Sequence, residues 1–251
     1  MTGQDLRGDV GRRKLAQLLS EARAVTVFTG AGISTECGVP DYRSPGSPWR
    51  VHRPIGFKDY LADPALRAEA WRRKFAMDDL YAGARPGRGH RAVARWAGRN
   101  MLHSVVTQNI DGLHQAVGLP TESLVELHGN GTYARCLECG ARHALASIRA
   151  RFERHAALPV CDCGGIVKSA SIAFGQSLET DNLKRAARAA LGCDLFLILG
   201  STLLVRPAAR FPELALRNGA RLAIVNREPT HLDEEADVVI HDDIGDVLDP
   251  L

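Results

Sequence analysis

No stretch of this sequence stays apolar for anything near the roughly 20 residues that a membrane-spanning helix needs. The segment from Met1 to Lys14 is polar and charged, and it contains no apolar segment typical of a secretory signal. Cysteine is scarce, with six in 251 residues, which is typical of proteins in a reducing compartment. We therefore expect a cytoplasmic protein with no membrane partner.

The sequence also lacks an excess of charge of one sign. Its 32 basic and 29 acidic residues give a formal net charge of +3 at pH 7. An imbalance this small does not indicate nucleic acid binding, so we expect no nucleic-acid partner. The 45% hydrophobic content over 251 residues is enough for one large domain with a smaller insertion.

Four of the six cysteines lie in one segment. Two residues separate Cys136 from Cys139, and one residue separates Cys161 from Cys163. Two close pairs of thiolates are the ligand set that tetrahedral Zn²⁺ takes, and four sulfur ligands leave no open position for catalysis. The spacing therefore predicts a structural zinc site, with two disulfides or four buried thiols as the alternative.

Apolar strands alternate with helical patterns along most of the chain. The predicted strands, each ending in polar residues or glycine, are 24–28, 102–106, 195–199, 221–225 and 237–240, and the predicted helices are 12–23, 89–99, 181–191 and 207–218. This alternation predicts an α/β fold, a Rossmann-like doubly wound parallel sheet covered on both faces. Ligands of such folds bind at the carboxyl edge of the sheet.

Two segments interrupt this alternation and divide the chain into three parts. Residues 132–166 hold the cysteines and are interpreted as a small inserted zinc-ribbon module. Residues 45–86 are interpreted as a helical and loop insertion over the strand ends that includes a cofactor-binding loop. The sheet domain then comprises the remaining residues, 12–44, 87–131 and 167–249.

A glycine-containing turn follows the first predicted strand. Gly30, Ala31 and Gly32 lie where a strand would pass into a helix, and small residues there let the backbone approach a pyrophosphate. The third glycine of the usual dinucleotide fingerprint is missing, because Thr35 occupies its position, and no acidic residue ends the next strand. A tight loop without a ligand therefore remains an alternative on this motif alone.

Further polar segments fall at the same predicted edge: 38–43, 108–111, 126–130 and 200–202. Together with the glycine turn, the set resembles the sirtuins, a family of NAD-dependent protein deacylases. The matching pieces, in the family's order, are GAGISTECGVPDYR (30–43), TQNIDGLH (107–114), ELHG (126–129), the cysteine pairs, GSTLLVRPAA (200–209) and VNREPT (225–230). The PDYR and C-x-C forms are most similar to the class II-like sirtuins, which include many bacterial members.

The resemblance implies that NAD binds at the sheet edge. The residues matching the family's cofactor positions are Gly30, Ala31, Gly32, Asp41, Tyr42, Arg43, Gln108, Asn109, Ile110, Asp111, Gly200, Ser201, Thr202, Asn226, Arg227, Glu228 and Ile244. The match to the loop over the pyrophosphate and nicotinamide ribose is at Gly30, Ala31, Gly32, Asp41 and Arg43, and the match to the adenosine side is at Gly200, Ser201, Asn226 and Ile244. Gln108, Asn109 and Asp111 match the polar cluster around the nicotinamide pocket and ribose.

The resemblance also implies catalytic residues and a second substrate. His128 matches the catalytic base, and Asn109 and Asp111 match residues that act on the nicotinamide. Phe174, Gly175 and Val205 resemble the edges between which an acyl-lysine protein or peptide is held as an added strand. The expected products are lysine, nicotinamide and acylated ADP-ribose, and Zn²⁺ would take no part in the chemistry.

The sequence departs from the family beside the expected acyl tunnel. Residues 168–173 read Lys-Ser-Ala-Ser-Ile-Ala where many relatives have Arg-Pro and β-branched residues, and Gln176 replaces a common Glu. These changes leave the acyl-chain preference open. The basic run at 72–74 is interpreted as a solvated face, and we do not expect a preference for dicarboxyl acyl groups.

Simpler interpretations of the same residues exist. His128 would be an ordinary hydrogen-bonded histidine, and Asp111 would only cap a helix that starts near Gly112. At the level of function, protein-lysine deacylation (most simply deacetylation) competes with mono-ADP-ribosyl transfer and with long-chain or lipoyl deacylation. The non-enzymatic alternative is an NAD-sensing domain with a zinc-ribbon binding module.

Overall fold

The computed structural model describes residues 8–41, 47, 53–99 and 101–251. Its strands are β1 (Val25–Thr29), β2 (Leu102–Thr107), β3 (Leu124–Glu126), β4 (Gly129–Cys136), β5 (Arg142–His143), β6 (Val167–Ser171), β7 (Leu195–Leu199), β8 (Arg221–Val225) and β9 (Val238–Ile240). Its α-helices are α1 (Asp9–Glu21), α2 (Phe57–Ala62), α3 (Pro64–Leu80), α4 (Arg88–Gly98), α5 (Leu113–Ala116), α6 (Leu145–His155), α7 (Thr180–Leu191), α8 (Arg210–Arg217) and α9 (Ile244–Leu248). Short 3₁₀ helices lie at Ala31–Cys37, Thr121–Ser123 and Asp233–Glu235.

The larger sheet is parallel and has six strands in the order β3-β2-β1-β7-β8-β9. The chain runs outward from β1 in one direction and from β7 in the other, so the order reverses between these two strands. This is the strand order of a doubly wound dinucleotide-binding fold, and the crevice at the reversal is where ligands of such folds bind. The predicted α/β Rossmann-like fold is confirmed.

The two central strands are buried along their whole length because helices cover both faces of the sheet. Val27 and Leu197 point to one face, where they pack in a core with Leu15 of α1 and Trp96 of α4. Their sequence neighbours point to the opposite face, into a second core that includes alanines of α7. Continuous apolar strands are expected for this arrangement, since neither face reaches water.

Strand β3 has no counterpart among the predicted strands. It contains three residues, Leu124, Val125 and Glu126, and pairs with the end of β2. So short a run has no periodicity that would distinguish it from a loop. The other five strands of the large sheet agree with the predicted positions to within one residue or so.

The cysteine segment belongs to a second, antiparallel sheet with the order β5-β4-β6. Helix α3 packs against it: Trp71 stacks on Phe75, and Phe75 contacts Phe152 of α6 at a ring-centroid distance of 5.9 Å. Both Trp71 and Trp96 are buried packing residues, whereas Trp49 lies outside the described residues. The limits of the three predicted parts of the chain stay a prediction.

The ends of β1 and β7 approach each other so closely that only glycine fits. A Cβ atom on Gly32 would lie 2.6 Å from the Cα of Gly200, and one on Gly30 would lie 2.6 Å from the Gly200 carbonyl oxygen. Gly200 itself has φ +68°, a left-handed conformation that favours glycine. Hydrogen bonds from Gly30 N to Leu199 O (3.0 Å) and from Gly32 N to Gly200 O (2.9 Å) hold this contact.

A pair of buried histidines lies beneath the same strand ends. His90 of α4 and His114 of α5 have ring centroids 4.9 Å apart. The Thr29 hydroxyl donates to Thr107 Oγ1, so His114 Nε2, 3.0 Å from Thr29 Oγ1, must be the donor in that contact. Burial lowers the pKa of both rings, and that of His114 to about 3.

We expect the Gly32→Ala variant to lose stability. The added methyl group meets backbone atoms, which cannot rotate away, so the free energy of unfolding should fall by about 1–3 kcal/mol. Urea denaturation measures this change. Gly98→Ala is the matched control, because a Cβ at Gly98 meets nothing within 4 Å. Equal stability of the two variants would contradict the described contact.

Because His114 is buried, we expect the protein to become less stable in acid. Below its ordinary pKa of 6.5, His114 binds a proton in the unfolded chain but not in the folded protein until its folded pKa of about 3. The free energy of unfolding should therefore fall as the pH falls through this window, by about 1.4 kcal/mol per pH unit for this one group. His114→Gln keeps a donor for Thr29 and cannot titrate, so its stability should depend less steeply on pH between 6 and 4. Identical slopes for the two proteins would disprove the assignment.

Candidate active site and metal centre

A cavity of about 1480 Å³ opens along the carboxyl edge of the large sheet. Most of the sequence-predicted site residues line it: Gly30, Ala31, Gly32, Asp41, Gln108, Asn109, Ile110, His128, Phe174, Gly175, Gly200, Ser201, Thr202, Val205, Asn226, Arg227, Glu228 and Ile244. They follow the ends of six strands of the large sheet, β1, β2, β3, β7, β8 and β9, and the end of β6 in the small sheet. The fold therefore brings together segments that lie up to 214 positions apart in the sequence.

Among the described residues predicted for the NAD and peptide sites, Asp111 is the one that is not on that wall. Asp111 lies behind it, where its carboxylate accepts hydrogen bonds from Leu113 N (2.9 Å) and from Ser34 Oγ (2.7 Å). The N-cap residue of α5 is Gly112, but Asp111 accepts from the first N–H of that helix, which is close to the simpler interpretation. Through Ser34 it also joins the hydrogen bonds of the site. Tyr42 and Arg43 lie outside the described residues.

The 3₁₀ helix at Ala31–Cys37 gives the glycine turn its shape. Its main chain passes over the end of β7, so the small residues of the turn face the cavity. Thr35, which replaces the usual third glycine, donates from Oγ1 to the Gly32 carbonyl at 3.0 Å. The turn thus stabilises itself by a side-chain hydrogen bond where other dinucleotide folds use close packing of glycine.

Asn109 ties the end of β2 to the glycine turn. It is 9% exposed, and its side-chain amide donates to Gly30 O at 3.0 Å and to Ser34 Oγ at 3.2 Å. Ser34 passes the connection on to Asp111. These bonds fix the amide of Asn109 at one place on the cavity wall. Sequence reasoning missed Ser34, whose only signal was its position two residues after Gly32.

Gln108 joins the ends of β2 and β7 on the other side of the turn. Its side-chain amide donates to Ser201 Oγ at 2.8 Å, and its backbone N–H donates to Thr29 O at 3.0 Å. Its own carbonyl oxygen lies 3.0 Å from Nδ1 of His128. One residue therefore connects three strand ends to the histidine.

The tautomer of His128 follows from this last contact. A carbonyl oxygen can only accept, so Nδ1 carries the proton and Nε2 keeps a lone pair. Burial lowers the pKa of His128, against an opposing effect of the Gln108 carbonyl. The backbone is fixed as well, because Ile172 N donates to His128 O at 2.8 Å. A neutral, oriented imidazole on a cavity wall is suited to accept a proton near neutral pH.

The far end of the cavity is formed by the residues that follow β8 and β9. Asn226 is buried and donates from its side-chain amide to Glu228 O at 2.6 Å. Arg227 pairs with Asp243 at 2.9 Å, and Asp243 caps α9 by accepting from Gly245 N at 2.9 Å. Ile244, the first residue of α9, lines the cavity beside them.

Exposed apolar residues lie on two edges at the mouth of the cavity. Phe174 is 63% exposed on one edge, and Leu204 and Val205 are 66% and 46% exposed on the other. The first edge is anchored to α2, because Phe57 N donates to Phe174 O at 2.8 Å. Apolar side chains left in water beside a cavity are typical of a binding surface. Leu204 was not among the predicted substrate residues, although it adjoins Val205.

The basic run at 72–74 is only partly the solvated face that the sequence predicted. Arg72 and Arg73 pair with Glu69 on the same helix. The Lys74 side chain is 14% exposed and pairs with Asp78, and burial lowers its pKa. Three consecutive basic residues are typical of an exposed surface, but Lys74 lies on a mostly buried side of α3.

The four cysteines converge as their spacing predicts. Cys136 Sγ lies 3.5 Å from Cys163 Sγ, Cys139 Sγ lies 3.6 Å from Cys161 Sγ, and the four sulfur atoms all lie within 4.8 Å of one another. Sulfur ligands of a tetrahedral Zn²⁺, at about 2.3 Å from the metal, are about 3.8 Å apart. The separations fit a metal site and are too long for disulfide bonds. Cys37 and Cys193 are free thiols, as predicted.

None of the helices in the described part of the chain has both the length and the apolar composition that crossing a membrane requires.

Comparisons with known proteins agree with this geometry. The family model described as "Sir2 family" matches residues 30–207. The "NAD-dependent protein deacetylase 1" of Bradyrhizobium diazoefficiens is 49% identical over 250 residues, which cover 100% of this chain and 98% of that protein. The "NAD-dependent protein deacetylase" of Rhodopseudomonas palustris is 50% identical over 96% of this chain and 95% of its own length.

Solved structures resemble the whole chain as well. A structure described as "Structural Basis for the Mechanism and Regulation of Sir2 Enzymes" superposes with a TM-score of 0.84 at 34% identity, covering 97% of this chain and 96% of the other. One described as "Sir2-p53 peptide-NAD+" has a TM-score of 0.82 at 31% identity, covering 93% and 94%. Family model, relatives and structures all agree, and the chain belongs to the Sir2 family.

Proposed function

We propose that this protein is an NAD-dependent protein-lysine deacylase, most simply a deacetylase, which transfers the acyl group to ADP-ribose and releases nicotinamide. The observation that carries the proposal is the oriented His128 on the wall of a cavity shaped for a dinucleotide. Two relatives that match this chain over nearly their full length are named as NAD-dependent protein deacetylases. The scarcity of cysteine outside the metal cluster favours the cytoplasm as its location.

In this proposal the glycine turn receives the pyrophosphate. Gly30, Ala31 and Gly32 present main chain to the cavity without side chains in the way, which permits the close approach that a pyrophosphate needs. Asn226 and Ile244 would contact the adenosine, and Asn109 the nicotinamide end. NAD, when bound, supplies the ADP-ribosyl group whose bond to nicotinamide breaks.

His128 would act as the general base. Its Nε2 lone pair is directed away from the Gln108 carbonyl that holds Nδ1, so it is available to take a proton from a ribose hydroxyl. Because burial keeps the ring neutral, the base is ready near pH 7 without a carboxylate partner. Asn109 and the backbone around it supply fixed polar groups, which do not have to reorganise during the reaction.

The acyl-lysine peptide would enter between the two exposed edges. Phe174 and Gly175 on one side, and Leu204 and Val205 on the other, offer apolar surface at the edges of the cavity. Binding as an added strand relies on backbone hydrogen bonds and therefore makes weak demands on peptide sequence. Many protein substrates are compatible with such a cleft.

Zinc would hold the small sheet together. The ligand cysteines lie in β4 and its turn and in the loop before β6, so a bound metal would link these two segments. The core beside them consists of Trp71, Phe75, Ile148, Phe152 and a few small residues. So small a core gains much of its stability from a structural metal.

Replacing His128 with Ala should remove the base. We expect nicotinamide release that depends on an acetyl-lysine peptide to fall by about 10²- to 10⁴-fold, the usual contribution of general base catalysis, while the protein still binds NAD. His155→Ala, on the exposed side of α6, is the control and should retain wild-type activity. Wild-type activity in the His128 variant would exclude this residue as the base.

The acid limb of the wild-type pH profile tests the same assignment. Because burial lowers the pKa of His128, kcat/KM should begin to fall only below the ordinary histidine value of about 6.5.

The nicotinamide-release assay should also include a peptide without the acyl group. Nicotinamide release with that peptide at the same rate would favour ADP-ribosyl transfer over deacylation.

Replacing Cys136, the buried ligand of β4, with Ser should lower zinc content and melting temperature together. Cys37→Ser is the control, because that thiol lies outside the cluster and its loss should leave one zinc per chain. Elemental analysis and thermal melting give the two readouts. A wild-type preparation freed of zinc that melts at the same temperature as the zinc-loaded protein would contradict the structural role.

A further inference from the structure

Hydrogen bonds fix the position of Asn226, which lies at the end of the cavity proposed for the adenosine. Asn226 follows β8 directly, and its backbone N–H donates to Ile240 O of β9 at 3.1 Å. Its side-chain amide is bound to Glu228 O at 2.6 Å, and the residue is 6% exposed. The remaining main-chain group of Asn226, its carbonyl, points toward the loop after β9.

His241 occupies that loop and binds this carbonyl. Its Nδ1 lies 2.7 Å from Asn226 O, and because a carbonyl can only accept, Nδ1 is the donor. On the other side of the ring, Nε2 lies 3.3 Å from Oδ2 of Asp233. Oδ1 of Asp233 is itself fixed by Thr230, whose backbone N–H and hydroxyl both donate to it.

These contacts form a brace that runs from Thr230 through Asp233 and His241 to Asn226. The His241 side chain is 15% exposed and does not line the cavity. Its hydrogen bond to the Asn226 carbonyl fixes the peptide plane between Asn226 and Arg227, two residues that do line it. A group held in its binding conformation before the ligand arrives loses less conformational freedom on binding.

We propose that His241 is a positioning residue that holds Asn226 for the adenosine end of NAD. The inference rests on the proposed function, because it takes NAD as the dinucleotide in the cavity. It assigns His241 no contact with the reacting atoms. Loss of the brace should therefore weaken NAD binding and leave the chemical step intact.

The chain offers graded variants for the test. His241→Leu removes the hydrogen bond to Asn226 O and the contact with Asp233, whereas His241→Asn keeps a side-chain N–H near the position of Nδ1 and loses only the contact with Asp233. His231→Leu is the matched control, because His231 also faces a carboxylate, that of Glu213 at 3.5 Å, but does not line the cavity or contact Asn226. Asn226→Ala reports on the braced residue itself.

Steady-state kinetics should show a rise in KM for NAD of about three- to tenfold in His241→Leu, as expected for the loss of one hydrogen bond. The kcat should stay within about twofold of wild type. His241→Asn should restore most of the NAD affinity, and His231→Leu should match wild type. Calorimetric Kd values for NAD should follow the same order as the KM values.

An unchanged KM and Kd for NAD in His241→Leu would overturn the proposal, whatever the change in melting temperature. So would a fall in kcat as large as the rise in KM, since a loosened fold would affect both. If Asn226→Ala also binds NAD normally, the adenosine lies elsewhere and the brace has no role in binding. A wild-type protein that binds NAD and never consumes it would refute the proposed function and leave the positioning role of His241 standing.

Discussion

The contact between the ends of β1 and β7 is the constraint on which the rest of the site depends. Gly30 and Gly32 approach Gly200 so closely that no side chain fits between them, and this contact lies where the order of the parallel sheet reverses. It opens a crevice lined by main chain on both sides. A ligand with a charged, extended backbone such as a pyrophosphate requires this kind of wall. The hydrogen bonds of Gln108 and Asn109 then hold the end of β2 against the same contact.

In the proposed reaction, the orientation of groups at this crevice matters more than strongly reactive side chains. His128 has an ordinary side chain, but the Gln108 carbonyl fixes its tautomer and burial keeps it neutral. Gln108 also contacts Ser201, and Asn109 contacts Gly30 and Ser34. These hydrogen bonds connect the ends of β1, β2 and β7. The four-cysteine cluster lies at the second sheet and is connected to the site by β4, whose first residue follows His128 directly.

The sequence predicted those parts of the fold that depend on short, continuous segments of the chain. The apolar strands, the glycine turn and the cysteine pairs each have a composition that few other structures explain, and their order identified the family resemblance. Contacts made by distant segments were harder to predict. In the sequence Ser34 looks like an ordinary loop serine, and only the fold brings Asn109 and Asp111 into contact with it. Strand β3 is too short to show a period, and the burial of Lys74 depends on how α3 packs. The roles of individual site residues stay a prediction, those of Tyr42 and Arg43 among them.

The central claim is that the crevice at the reversal of the sheet binds NAD. Titration of the zinc-loaded wild-type protein with NAD in a calorimeter, with and without an acetyl-lysine peptide, tests it most directly. We expect a saturable heat with one NAD bound per chain. No heat of binding under either condition, from a protein that is folded and holds its zinc, would contradict the account.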